Sequence, residues 1–249
     1  MLKIAADENA VTPIDWQQTD LYRFFAMVFA PPTHECFDFL AQPAVPVALC
    51  ELWKRLECGG EFPGFEWFRG YELYESAYIA LFDVGAPEPP VPLFESAHDK
   101  SHPAQEIALE NTYYYEVLGL TSDPSRAVPD YLITQLEFLA ALRYTGEHTV
   151  EEATALSMLR AESDFLERHL LNWIPVVKSK LDETGAPGFP ALRILLSVPE
   201  PLAEIPCSLV GERAEIRRRW PWFLTFCRPQ NAARMVWRGR IAGLPGCVR

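Results

Sequence analysis

Glu95, His98 and His102 stand at a spacing that could offer one carboxylate and two imidazoles to a metal ion. Carboxylate-bridged metal bundles need an E-x-x-H motif twice, on facing helices, whereas this sequence holds it once, in a stretch broken by prolines. A helical metal-dependent enzyme using these three residues is therefore the second reading, tested by elemental analysis. Cys207, Cys227 and Cys247 recur every twenty residues but lack the close pairs that iron–sulfur and zinc sites use. There is no G-x-S-x-G, no phosphate-cradling glycine loop and no H-E-x-x-H. Residue types and spacing thus argue against an enzyme, and no resident cofactor is expected.

The elements that must position any site can be read from apolar periodicity. Leu21, Phe24, Phe25, Val28 and Phe29 mark one face of a helix from Ile14 to Phe29, ended by Pro31 and Pro32. A short helix through Phe37 and Leu40 comes next, then one from Val45 to Glu57 that stops at Gly59 and Gly60. Tyr71, Tyr74, Tyr78, Leu81 and Phe82 keep helical spacing in a long aromatic-faced segment between Phe65 and Phe82.

Residues 83–103 carry Pro87, Pro89, Pro90, Pro92 and Pro103, which predicts an extended connector without helix or strand. A helix over Ala104–Leu118 closes at Gly119. The next has Pro129 in its first turn, Leu132, Leu136 and Leu139 as its stripe, and Gly146 as its end. Thr149 and Glu152 form an S/T-x-x-E capping box for a further helix, and Pro175 is predicted to interrupt the helical path near Trp173. A helix to Leu181 and a short one over Leu192–Leu196 complete the count. No alternating strand pattern occurs. The expectation is an all-α, single-domain bundle of about eight to ten helices with a Pro-rich connecting loop. Residues 1–199 would form the helical domain and 200–249 an Arg-rich extension.

The net charge of -12 conceals a division, because residues 207–249 hold nine Arg against Glu212 and Glu215. The remaining chain is more acidic than the total, which repels nucleic acid and attracts basic partners. An RNA-binding role through the Arg-rich tail would show steep salt dependence, and the acidic body disfavours it. The N-terminus MLKIAADENA offers no signal-like or membrane-spanning run, so the expected location is the cytoplasm without membrane insertion. The six cysteines lack CxxC spacings and are expected as reduced thiols.

Two segments, YESAYIALFDVGAPEPPVPLFESAHDK over 74–100 and PDYLITQLEFLAAL over 129–142, carry a family pattern. The sequence here resembles the TorD/NarJ family of redox-enzyme maturation chaperones. In that family a helix ending Y-x-x-L-F leads into a Pro-rich stretch ending P-Y-E-S or similar, followed by a P-D-H-x-x-x-E-L-x-F-L helix. The matching positions are Tyr78, Leu81, Phe82, Pro90, Pro92, Glu95 and Ser96, then Pro129, Asp130, Glu137, Phe138 and Leu139. LYRFFAMVFAPP near the start and FLERHLLNWIP over 165–175 add to it, so the resemblance spans roughly residues 16–180. Phe94 stands where the family often has Tyr, His98 where another aromatic is frequent, and Tyr131 where His commonly follows the Asp.

The resemblance implies a chaperone that binds the N-terminal twin-arginine leader of a molybdopterin-containing oxidoreductase subunit and delays export until the molybdenum cofactor is in place. Its partner would be that catalytic subunit, and it would be a monomer or a helix-exchanged dimer. The peptide site would comprise Tyr78, Leu81, Phe82, Pro90, Pro92, Phe94, Glu95, Ser96, Asp130, Tyr131 and Glu137. Glu95 and Asp130 would attract arginine in an open groove, while the apolar members shelter the leader's apolar part. RRRWPWFLTF, residues 217–226, mimics such a leader, which suggests that the basic tail docks on the acidic body and guards the groove.

Overall fold

A computed structural model describes residues 18–55, 61–62, 64–65, 67–120 and 128–184. The architecture is all-α. In chain order the helices are α1 Gln18–Phe29, α2 His34–Leu40, α3 Ala44–Arg55, α4 Tyr71–Tyr78, α5 Glu95–His98, α6 Ala104–Val117, α7 Leu132–His148, α8 Glu152–Phe165 and α9 Leu171–Thr184. Two π-helical turns interrupt the regular winding of these described residues. Ile79–Asp83 prolongs α4, and Leu166–Leu170 joins α8 to α9.

α1 lies along α7, and α7 along α8. The stripe read from the sequence is the core itself, since Phe25, Val28, Phe29, Leu132, Leu136 and Leu139 are wholly buried. α2 starts from Thr33, whose hydroxyl accepts from the Cys36 amide at 3.2 Å. α6 ends as foreseen at Gly119, at φ +71, where the Leu120 amide reaches back to the Tyr115 carbonyl at 3.0 Å.

Several boundaries differ from expectation. The connector does hold a turn of helix, α5, and Phe94 pairs with Tyr131 in an isolated antiparallel bridge. α4 begins at Tyr71 rather than near Phe65, because the residues before it leave the helical path, Trp67 and Phe68 packing their rings on Tyr74 and Phe65 stacking on Trp67. Pro129 precedes α7 in a turn instead of opening it. Gly146 does not end α7; it faces α8, and a Cβ there would meet the Met158 Cβ at 3.3 Å. Thr149 does not cap α8, which starts after Glu151 in extended conformation. Pro175 sits inside α9, and the break falls one turn earlier, in the π turn. Cys36 is disulfide-bonded, contrary to the reduced state expected, while Cys50 is free.

The helix near Leu192–Leu196, the domain boundary at residue 199, the Arg-rich extension with its three cysteines and the tail-docking idea all lie outside the described residues. Among the described residues no helix is long and apolar enough to cross a membrane.

Candidate functional site

Prolines at 87, 89, 90 and 92 strip the connector of backbone donors, so few bonds remain to position it. Those few are non-local. The Val91 amide donates to the Leu81 carbonyl at 2.9 Å, the Glu95 amide to the Asp130 carbonyl at 3.0 Å, and the Leu132 amide to the Leu93 carbonyl at 2.9 Å. The Asp130 carboxylate then accepts from the Ser96 amide at 3.1 Å. The two family motifs, distant in sequence, are thereby bound to one another. Gly85 makes the bend possible, since a Cβ there would lie 2.2 Å from the Glu88 carbonyl oxygen.

Glu95 points inward and is 3% exposed. Its carboxylate accepts from Asn111 Nδ2 at 3.1 Å, from Gln135 Nε2 at 2.5 Å and from His169 Nδ1 at 2.9 Å. These three partners are buried and come from α6, α7 and the second π turn. Asn111 also accepts from Gln135 Nε2 at 3.1 Å and from the Tyr115 hydroxyl at 3.2 Å. Four elements therefore meet at one polar knot inside the core. His169 Nε2 and Gln135 Oε1 have no hydrogen-bond partner among the described residues.

Asp130, 4% exposed, is likewise turned inward. In this conformation neither carboxylate opens to an arginine, which corrects the open acidic groove read from the sequence. The physical reason is that a one-turn helix at the end of a proline-rich strap has little apolar surface to hold it. Its buried acid fastens it through hydrogen bonds instead.

The other expected site residues divide between inside and surface. Tyr78, Leu81, Phe82 and Pro92 are buried, Phe94, Ser96, Tyr131 and Glu137 are half-buried, and Pro90 is exposed. The Tyr78 hydroxyl donates to the Phe29 carbonyl at 3.0 Å and lies 3.3 Å from the Tyr131 hydroxyl. Burial pushes both phenols above the ordinary range, with the Asp83 charge adding to it. The Tyr131 ring stacks on Phe94 at 4.9 Å. Glu137 has no ion-pair or hydrogen-bond partner among the described residues, and burial pushes its carboxyl up to about 7.

The residues of the metal reading do not converge. Glu95 is engaged in the core, His98 Nε2 holds the Pro92 carbonyl at 2.6 Å, and His102 is exposed and paired with Asp99 at 2.9 Å. Among the described residues no group of three or more His, Cys, Asp or Glu could hold a metal ion.

Three residues escaped the sequence reading. His169 is brought in by the π turn, so its partner 74 positions away gave no local signal. Asp83 and Glu88 are exposed acids at the rim of the connector, near enough to act on Tyr131 and His98 respectively. Their only signal was that they stand among prolines.

A family model described as "Nitrate reductase delta subunit" matches residues 69–178, which contain the connector, the polar knot and α7. The "Perchlorate reductase assembly chaperone protein" of Dechloromonas aromatica is 32% identical over 123 residues, 48% of this chain and 54% of that one. The "Selenate reductase assembly chaperone protein" of Thauera selenatis is 34% identical over 118 residues, 47% of this chain and 61% of that one. In both cases the chain spans less than two thirds of the relative. The "Chlorate reductase assembly chaperone protein" of Ideonella dechloratans is 31% identical over 137 residues, 54% of this chain and 69% of that one. The knot and strap residues that organise this fold thus lie within the stretch that the family model matches, and the chain belongs to the TorD/NarJ-like family of redox-enzyme assembly chaperones.

Proposed function

We propose that this protein is a cytoplasmic assembly chaperone, without turnover of its own, for the catalytic subunit of a molybdenum oxidoreductase. It binds the subunit's N-terminal twin-arginine leader and holds the subunit back until its cofactor has been inserted. The observation that carries this reading is the joining of the two family motifs through the Phe94–Tyr131 bridge and the Asp130–Ser96 bond. The proposed site takes in this stacked aromatic pair, the exposed Pro90 and two exposed acids, Asp83, whose charge acts on Tyr131, and Glu88, whose charge acts on His98.

The arginines of the leader meet Asp83 and Glu88, because those carboxylates are already in water and no buried charge has to be uncovered. Its apolar part lies against Phe94, Tyr131 and Pro90, which present ring and proline surfaces at low entropic cost. Glu95, Ser96 and Asp130 hold the connector in shape behind them, and Tyr78, Leu81, Phe82 and Pro92 form the floor. Glu137, half-buried on α7 where its charge acts on Tyr115, is the remaining member of the proposed site.

The test is calorimetric titration with a synthetic leader carrying two arginines before an apolar run. Reversing Asp83 and Glu88 to Lys should weaken capture at least about tenfold and flatten its salt dependence, with circular dichroism unchanged. A wild-type protein that ignores such a peptide, or captures it equally well with both arginines replaced by glutamine, would remove the reading.

A further inference from the structure

The floor of the proposed site is shut. Val91 and Leu93 of the connector are buried against the bundle, and Leu81, Phe82 and Pro92 are buried with them. A peptide's apolar segment cannot reach this surface while the connector lies over it. Residues 85–90 meanwhile make no backbone hydrogen bond of their own to the described residues of the bundle, and the strap is fastened from Val91 onward.

We propose that residues 84–98 form a releasable strap, that the buried Glu95–His169 pair is its lock, and that the apolar segment of the client's leader takes the strap's place. This rests on the leader-binding reading above, in which Phe94, Tyr131 and Pro90 meet the leader's apolar part while the strap is closed, and Tyr78, Leu81 and Phe82 receive it once the strap has left. His169 is the element of the lock that can be undone. It enters the core from a π turn, in which one residue more than an α-turn requires is inserted between α8 and α9. Removing that bulge rotates the ring by roughly a quarter turn about the helix axis and withdraws it from Glu95. The ring's second nitrogen has no hydrogen-bond partner among the described residues, so beyond Nδ1 the ring is held by packing against Phe165 and Tyr114. The first π turn, Ile79–Asp83, leads directly into the other end of the same strap. Both π turns of the described bundle therefore adjoin one movable segment, the arrangement expected of an element with two positions.

Glu95 without His169 keeps two amide donors, from Asn111 and Gln135, so the fold survives loss of the ring while the strap loses its strongest tie. A protein whose binding-competent state is a minor one binds with an affinity reduced by that fraction. Unlocking the strap must therefore strengthen peptide capture, whereas damage to a simple contact residue weakens it. The direction of change separates the two roles.

Native-state hydrogen exchange of the full chain is the first measurement. The amides of Val91, Glu95, Ser96 and Leu132 should exchange together through an opening that leaves the amides of α1 and of α7 beyond its first turn protected. In His169→Phe, which retains the ring packing against Phe165 and Tyr114, those four amides should exchange about tenfold faster or more, and the leader peptide should bind tighter by a similar factor. Glu95→Gln should behave likewise. Exchange of the four amides only with global unfolding of the wild type, or faster exchange accompanied by weaker binding, would overturn the lock. If neither form binds the leader at all, the functional reading fails, and the exchange data alone still decide whether the strap opens.

Discussion

Arg143 of α7 and Glu162 of α8 meet at 2.6 Å inside the bundle, and the Tyr22 hydroxyl of α1 donates to the same Glu162 oxygen at 2.6 Å. Glu162 is 1% exposed, and burial pushes its carboxyl above the ordinary range against the pull of the guanidinium. The three helices that make the main packing layer are thus tied by one charge. Cutting Arg143 to Ala strands a buried carboxylate and should cost about 3–5 kcal/mol in urea unfolding. Replacing both partners by Met should cost far less, because no charge is left behind. A loss under about 1 kcal/mol for the single variant would mean that water reaches the pair.

Glu137 makes stability depend on pH in a specific direction. Its carboxyl is pushed from the ordinary 4.5 up to about 7 by burial alone. The folded chain therefore keeps a proton that the unfolded chain releases, so this group's contribution is full below pH 4.5 and is lost as pH rises to about 7. Partial exposure of the side chain lets water screen part of the effect, which leaves about 2 kcal/mol. Glu137→Gln should abolish that slope and be the more stable form at pH 8, as read from denaturation at pH 5 and pH 8. An unchanged slope would show that another group carries it.

The all-helical architecture was legible because Leu132, Leu136 and Leu139, or Phe24, Phe25 and Val28, repeat at the helical period and so announce a buried face. The connector's course was not. Its α5 turn and the Phe94–Tyr131 bridge depend on partners from α6, α7 and the second π turn, none of them adjacent in sequence. The family pattern picks out Glu95 and Asp130 but says nothing of their direction, and a motif acid reads the same whether it faces water or holds a core together. His169 was hidden for a different reason. One inserted residue changes which face of a helix a side chain occupies, and regular spacing cannot foresee it.

Gly146, a helix end by its residue type, is instead a contact point, which yields a graded prediction. A Cβ at this position comes within 3.3 Å of the Met158 Cβ, a tight approach between α7 and α8. Ala gains about 1 kcal/mol of helix preference over Gly, so Gly146→Ala should be within about 1 kcal/mol of neutral. Gly146→Val adds two further carbons where no room exists and should cost about 1–3 kcal/mol by thermal or urea unfolding. Equal behaviour of the two variants would show that α8 moves aside freely.

His98 provides the last test, because its tautomer is set by its partners. Its Nε2 lies 2.6 Å from the Pro92 carbonyl, which can only accept, so Nε2 carries the proton, and the ring stacks on Trp173 with 12° between planes. Nδ1 is buried without a partner among the described residues. Burial, then the Lys180 and Lys100 charges, lowers the imidazole below its ordinary 6.5, against the Pro92 bond and Glu88. A base so depressed stabilises the fold above pH 6.5 and loses that contribution as the pH drops through its folded value. His98→Phe keeps the stack on Trp173, forfeits the Pro92 bond at about 1 kcal/mol, and should remove the part of the acid-side decline that His98 causes. Unfolding measured at pH 7.5 and pH 5 tests both. If the variant loses stability as steeply on acidification as the wild type, the imidazole is not the group that fastens this end of the connector to α9.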